Sequence, residues 1–221
     1  MNTGPVPQPA ARLGLRERKK MATRREIGFA AMRLAVQRGL ENVTVEDIAA
    51  AANVSPRTFN NYFASKLEAI SAISIDRAAL IGATLCERPA DEPLWDAITA
   101  AVPEHYETAL TPQGAWREGM RRVLLSPAMR GEYLKTNAAA QRALADAIAE
   151  RTGLDADRDM LPVVLAGAVT TASQIAVRRW FDANPPVELR PLVREALDQL
   201  ALAFTDAARW VQPSGRSAQP G

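Results

Sequence analysis

The sequence predicts an all-α fold of about nine helices in two unequal parts, on three observations. Apolar residues recur at three- and four-residue spacing in segment after segment, the period of a helix with one buried face. Strand formers are sparse, whereas Ala, Leu, Arg and Glu are abundant. Cap residues followed by proline or an acidic residue mark helix starts, and Gly or Asn marks several ends. The 221 residues, 48% hydrophobic and 24% charged, suit one large or two small soluble domains.

Residues 1–15 carry three prolines and two glycines without apolar periodicity and read as a disordered tail. Arg12, Arg16, Arg18, Lys19, Lys20, Arg24 and Arg25 form a basic stretch leading into the first helix. A charge run is usually a solvated face; directly before the motif described next, it suits contact with phosphate or a neighbouring minor groove. Ile27, Ala30, Ala31 and Leu34 give that helix an inward face, and Gly39 ends it.

The most informative stretch is TVEDIAAAANVSPRTFNNYFASK, residues 44–66. Val45, Ile48, Ala49 and Ala52 share one face of a short helix that Thr44 and Asp47 start as a capping box. Asn53 suits a left-handed turn, and Ser55-Pro56 restarts a helix at once. Two helices this close cross steeply, as in a helix-turn-helix. Phe59 and Phe63 face inward, leaving Arg57, Thr58, Asn60, Asn61 and Tyr62 on or near the outside. Arg can pair bidentately with guanine and Asn with adenine, while Thr and Tyr reach phosphate or the thymine methyl. Each residue alone also fits a solvated surface or a helix end; the constellation together points to DNA.

Ser65 and Glu68 cap a fourth helix through Leu67, Ile70, Ile73 and Ile81, and the prolines of residues 87–93 end it. A fifth, from about Leu94 to Leu110, is interrupted at Pro103; Thr111-Pro112 starts another; Ser126-Pro127 opens a helix to about Arg151, which Gly153 closes. Met160 to Val177 holds no charged residue, a length that suits a membrane span. Pro162, Thr170, Thr171, Ser173 and Gln174 interrupt it, so a helix buried on most sides within protein is expected. Leu161, Val164, Leu165, Ala168, Ala172, Ile175 and Ala176 form one face of that helix. Leu189, Leu192, Val193, Ala196, Leu197, Leu200 and Phe204 make the stripe of the last one, and residues 212–221 are a polar tail.

Charge is divided unevenly. Residues 1–66 hold 11 Lys and Arg against 5 Asp and Glu, and the remaining 155 hold 16 against 20. Basic charge thus gathers where a polyanion would dock. A single Cys86 and a single His105 exclude an internal disulfide and leave almost nothing for a structural metal site, so no metal or cofactor is expected. Without a phosphate loop or a nucleophile–base set, an enzyme is not expected either. A helical protein-interaction module without sequence-specific DNA binding is the alternative, and the steep salt dependence of duplex binding separates the two. The first residues lack a signal-peptide pattern, which predicts a cytoplasmic protein.

With a helix ending in AVQRGL before it, TVEDIAAAANVSPRTFNNYFASKLEAI resembles the DNA-binding domain of the TetR family of bacterial transcription regulators. The resemblance covers residues 20–70. It implies that residues 16–66 are the DNA-binding domain, in which Thr44 touches a phosphate, Ser55 to Tyr62 form the recognition helix, Ser55, Pro56, Arg57, Thr58, Asn60, Asn61 and Tyr62 lie at the DNA, and Lys66 reaches a phosphate; Arg24 joins them from the basic stretch. Phe59-Asn60 and Asn61-Tyr62 stand where the family often has Leu-Tyr and Tyr-His, so no operator sequence carries over.

The resemblance also makes residues 67–211 a ligand-sensing and dimerisation domain. Trp95, His105, Tyr106, Trp116, Met120, Met129, Tyr133, Trp180 and Phe181 are each compatible with ordinary helical core, and together with an apolar ligand pocket. The expected effector is a mostly apolar small molecule such as a lipid, an acyl thioester or a drug. The last two long helices resemble the family's four-helix dimer interface, formed here by Leu165, Ala168, Ala172, Ile175, Val193, Leu197, Leu200 and Phe204; the same stripes also suit intrachain core. A two-fold pair would supply two heads to a palindromic double-stranded operator.

Overall fold

The computed structural model describes residues 15–106 and 115–205, with side chains from Lys19 to Leu202. The described residues form nine α-helices, two short 3-10 turns and no strand: α1 (Leu15–Arg38), α2 (Val45–Ala51), α3 (Pro56–Tyr62), α4 (Lys66–Glu87), α5 (Leu94–Glu104), α6 (Ala115–Leu124), α7 (Arg130–Thr152), α8 (Met160–Asp182) and α9 (Leu189–Thr205). The all-α expectation holds. Arg12, most of both tails, the far end of the expected fifth helix and Thr111-Pro112 lie outside the described residues. Arg16, Arg18, Lys19 and Lys20 belong to α1 itself, not to a stretch ahead of it.

Local chemistry sets the boundaries. The Thr44 hydroxyl accepts from the Asp47 amide at 3.1 Å, while the Asp47 carboxylate accepts from the Thr44 amide at 3.0 Å. Ser55 accepts from the Thr58 amide at 3.0 Å with Pro56 opening α3, and Ser65 accepts from the Glu68 amide at 3.1 Å. Asn53, with φ 53°, makes the left-handed turn between α2 and α3. Gly39 (φ 86°) and Gly153 (φ 71°) close α1 and α7 in the region that favours glycine.

Thr44→Ala should therefore lower the unfolding free energy by about 1 kcal/mol, read from urea denaturation at pH 7. Hydrogen bonds from Thr44, and then the charge of Arg38, hold the Asp47 carboxyl below its usual range. A depressed carboxyl stabilises above its unfolded value and loses that contribution as pH falls through its folded value. The difference between Thr44→Ala and wild type should shrink on acidification below the ordinary Asp range.

Two cores result. The first gathers Ile27, Ala31, Ile48, Phe59, Phe63 and Ile70, all at most 2% exposed, from α1 to α4. The second gathers Leu85, Ile98, Ile148, Val169, Trp180 and Val193 from α4, α5, α7, α8 and α9. Met120 and Leu124 of α6 pack against both. A Cβ added at Gly119 would come within 2.6 Å of a Val36 methyl, so only glycine lets α6 lie this close to α1. At the far end of α4, Arg151 of α7 donates to the carbonyls of Leu85, Arg88, Pro89 and Glu92 at 2.7–3.1 Å. These bonds satisfy orphan carbonyls at a helix end and tie α4 to α7.

Candidate nucleic-acid interface

The first core presents α3 with one face anchored and the other open. Phe59 is 0% and Phe63 1% exposed, their rings 5.8 Å apart. Arg57, Asn60 and Asn61 are exposed, and so are Ser55 and Pro56 at the helix start. The three exposed polar side chains in α3 are thus those whose hydrogen-bonding pattern suits base edges. Thr58 is half-buried, its hydroxyl 2.9 Å from that of Ser55, and Tyr62 is half-buried against the core. Those two are committed in part to the protein. Lys19, Lys20, Arg25 and Arg33 are exposed along α1 and supply positive charge to the same domain.

Thr44 is exposed at the start of α2, where its hydroxyl donates to Asp47 at 2.7 Å. Arg38 pairs with the same carboxylate at 3.2 Å. Capping therefore engages both the proton and the oxygen of the Thr44 hydroxyl.

Two expected phosphate ligands are placed differently. The Lys66 ammonium donates to the carbonyls of Leu40 and Val43, both at 2.7 Å, so it fastens the turn after α1 to the start of α4. Only one of its three protons is left for anything else. Arg24 points inward: its guanidinium contacts the Asp76 carboxylate at 3.2 Å and the Tyr62 carbonyl at 3.4 Å, and lies 4.5 Å from the centre of the Phe63 ring. A cation with those three partners is held within the protein as a structural clamp. Asp76, 5% exposed, escaped the sequence reading; a carboxylate among the apolar residues of α4 was the available signal that a buried cation opposes it.

Comparison with known proteins decides what this arrangement belongs to. Residues 29–73 match the family described as bacterial regulatory proteins, tetR family, and residues 92–205 match the MftR C-terminal domain of TetR regulators. The chain is 36% identical over 215 residues to the HTH-type transcriptional regulator TcmR of Streptomyces glaucescens, covering 90% of this chain and 87% of that protein. The chain belongs to the TetR family. Like its TetR relatives it is a DNA-binding transcriptional regulator and not an enzyme. A TetR-family regulator from Rhodococcus sp. has the same fold at a TM-score of 0.51 and 22% identity, over 82% of this chain and 98% of that one. The TetR-family repressor FadR of Thermus thermophilus, solved with lauroyl-CoA, aligns at a TM-score of 0.48 and 22% identity, over 90% and 99%.

Within this TetR chain the expected pocket residues divide. Trp95, Tyr106, Met120, Trp180 and Phe181 meet at the second core; the Trp180 indole N–H donates to the Val187 carbonyl at 3.0 Å. Trp116 of α6 is half-buried. His105 lies 2.8 Å from the Thr84 hydroxyl, and burial pushes its imidazole below the ordinary value. Tyr133 is 46% exposed on α7. Met129 is a correction: it is 2% exposed in the first core, carried there by the 3-10 turn Pro127–Met129 packing on α4. A surface groove of about 210 Å³ lies elsewhere, between Ala156 and Val164 at the start of α8.

The TetR-like interface stripes divide as well. Ala172 (8% exposed), Val193 and Leu197 (both 0%) lie in the second core of the chain itself. Leu165, Ala168 and Leu200 are half-buried, Ile175 is 61% exposed, and the Phe204 side chain lies outside the described ones. Only a third of the most apolar stretch of α8 is buried, against the expected burial on most sides. The helix is apolar on two faces: Ala166, Val169, Ser173, Ala176 and Trp180 face the core, while Leu161, Val164 and Ile175 face out.

Proposed function

We propose that the protein is a homodimeric repressor that reads a palindromic operator through Arg57, Asn60 and Asn61 and is released by a mostly apolar small molecule. The observation that carries the reading is the fixed and exposed face of α3, seated on fully buried Phe59. Arg57→Ala and Asn61→Ala should each reduce discrimination between the preferred duplex and one changed at the contacted base, by about 1–3 kcal/mol per lost bidentate contact. Competition binding measures this, and equal losses on both duplexes would remove that side chain from base reading.

The outward face of α8 supports the dimer, because exposed Leu161, Val164 and Ile175 with half-buried Leu165 and Ala168 line one side of a long helix, with Thr171 among them. The outer side of α9 is mostly polar, with Arg194, Glu195, Asp198 and Gln199 beside exposed Leu202, which leaves α8 to supply most of that contact. The aromatic residues around the second core support an apolar effector, and α6, packed on both cores, is the path by which it would disturb the heads. An effector that prefers the conformation with misplaced heads weakens operator binding by its coupling free energy, about 1–3 kcal/mol in typical cases. Titrating candidate amphiphiles into the operator complex tests this, and a compound that tightens the complex would make the protein a co-repressor-dependent regulator instead.

A further inference from the structure

We propose that Arg24 and Asp76 form a latch that positions the recognition helix from behind. The inference rests on the DNA-reading role of α3. One guanidinium joins three elements: it rides on α1, touches the carbonyl of Tyr62, the last residue of α3, and meets the Asp76 carboxylate of α4. The Tyr62 carbonyl is one of those that a helix end leaves without a partner inside the helix. The Asp76 side chain is 7% and the Arg24 side chain 23% exposed, so the pair is shielded from solvent and removing one member leaves the other uncompensated. The Phe63 ring under the guanidinium fixes its plane.

Asn60 and Asn61 lie in the turn of α3 that this cation holds. Asp76 of α4 therefore acts on the turn that carries the two asparagines through this side chain, beside the packing of Ile70 with Phe59 and Phe63 in the first core. At its other end α4 is fastened to α7 by Arg151, and a Cβ at Gly82 would stand 2.9 Å from the Ala147 methyl. α4 and α7 are thus tightly joined, and the latch is where the position of α4 bears on the end of α3. Arg24 and Asp76 are positioning residues for recognition, and neither touches DNA.

Asp76→Asn gives the test a sign. The variant removes a negative charge from the DNA-binding half and frees Arg24. If Arg24 were a phosphate ligand, the duplex selected by the wild-type protein from a random pool should bind more tightly. The latch predicts weaker binding by about tenfold or more, the worth of one charge-assisted hydrogen bond, with the slope of log K against log salt unchanged. A lost phosphate contact would instead lower that slope by about 0.9. Arg24→Lys, which keeps the charge but lacks the planar guanidinium that stacks on Phe63 and forks to both partners, should weaken binding in the same way, whereas a phosphate role would leave it near wild type. Amide exchange on the DNA-free protein supplies a second readout: in Asp76→Asn, protection should fall in residues 57–63 and stay unchanged in α7 and α8. Equal or tighter DNA binding, or unchanged protection of α3, overturns the latch. If the wild-type protein selected no duplex, the reading role of α3 would fall, and the exchange arm would still decide the latch.

Discussion

Ile175→Glu should abolish tight operator binding while leaving the protomer folded. Ile175 is 61% exposed, so the substitution meets no intrachain neighbour tightly packed enough to resist it, and surface changes of this kind alter stability by about 0.5 kcal/mol or less. In a dimer joined through the outward face of α8, the partner covers this position, and a carboxylate there would be desolvated without a counter-charge. Light scattering should show monomers. Operator affinity should fall by about 10²–10⁴-fold, because the second head no longer binds at the effective concentration the first provides. Ala139→Glu, at an exposed position on α7, should change neither property. A variant that stayed dimeric and kept its affinity would move the interface away from α8.

Phe59→Ala should be the most destabilising single change in the DNA-binding half, costing about 3–5 kcal/mol. Phe59 is 0% exposed and packs with Phe63, Ile27 and Ile48 where α1, α2 and α3 meet. Removing its ring leaves a cavity beneath a helix of seven residues, too short to stand without tertiary support. Far-UV circular dichroism during urea titration should show an early transition, and DNA binding should be lost before the second core unfolds. A cooperative single transition at the wild-type midpoint would mean that the first core relaxes around the cavity.

The helix starts and turns in the first 66 residues were legible because they are local. The Thr44–Asp47 box, Ser55-Pro56 and the Asn53 turn each involve side chains three residues apart or fewer, and the structure forms all of them. Phe59 and Phe63 were legible by spacing alone. Arg24 was not, since a basic residue in a basic stretch looks solvated and its partner lies 52 residues away in α4. The anchoring of Lys66 is hidden for a similar reason: backbone carbonyls 23 and 26 residues earlier hold it, and carbonyls leave no trace in sequence.

The stripes of α8 and α9 show the other limit. Periodicity marks which residues avoid water without naming what covers them, so Val193 and Leu197, turned inward, and Ile175, turned outward, carry the same signal. Met129 suits an apolar pocket by residue type, yet a three-residue 3-10 turn delivers it to the first core.

The most direct test of the account is selection from a random duplex pool by the purified wild-type protein, followed by affinity for the enriched sequence and a scrambled control at two salt concentrations. The account predicts a two-fold symmetric sequence bound by two protomers, preferred over the control, with affinity falling steeply as salt rises. Enrichment of no sequence, or binding indifferent to both sequence and salt, would contradict a palindrome-reading dimer built on Arg57, Asn60 and Asn61.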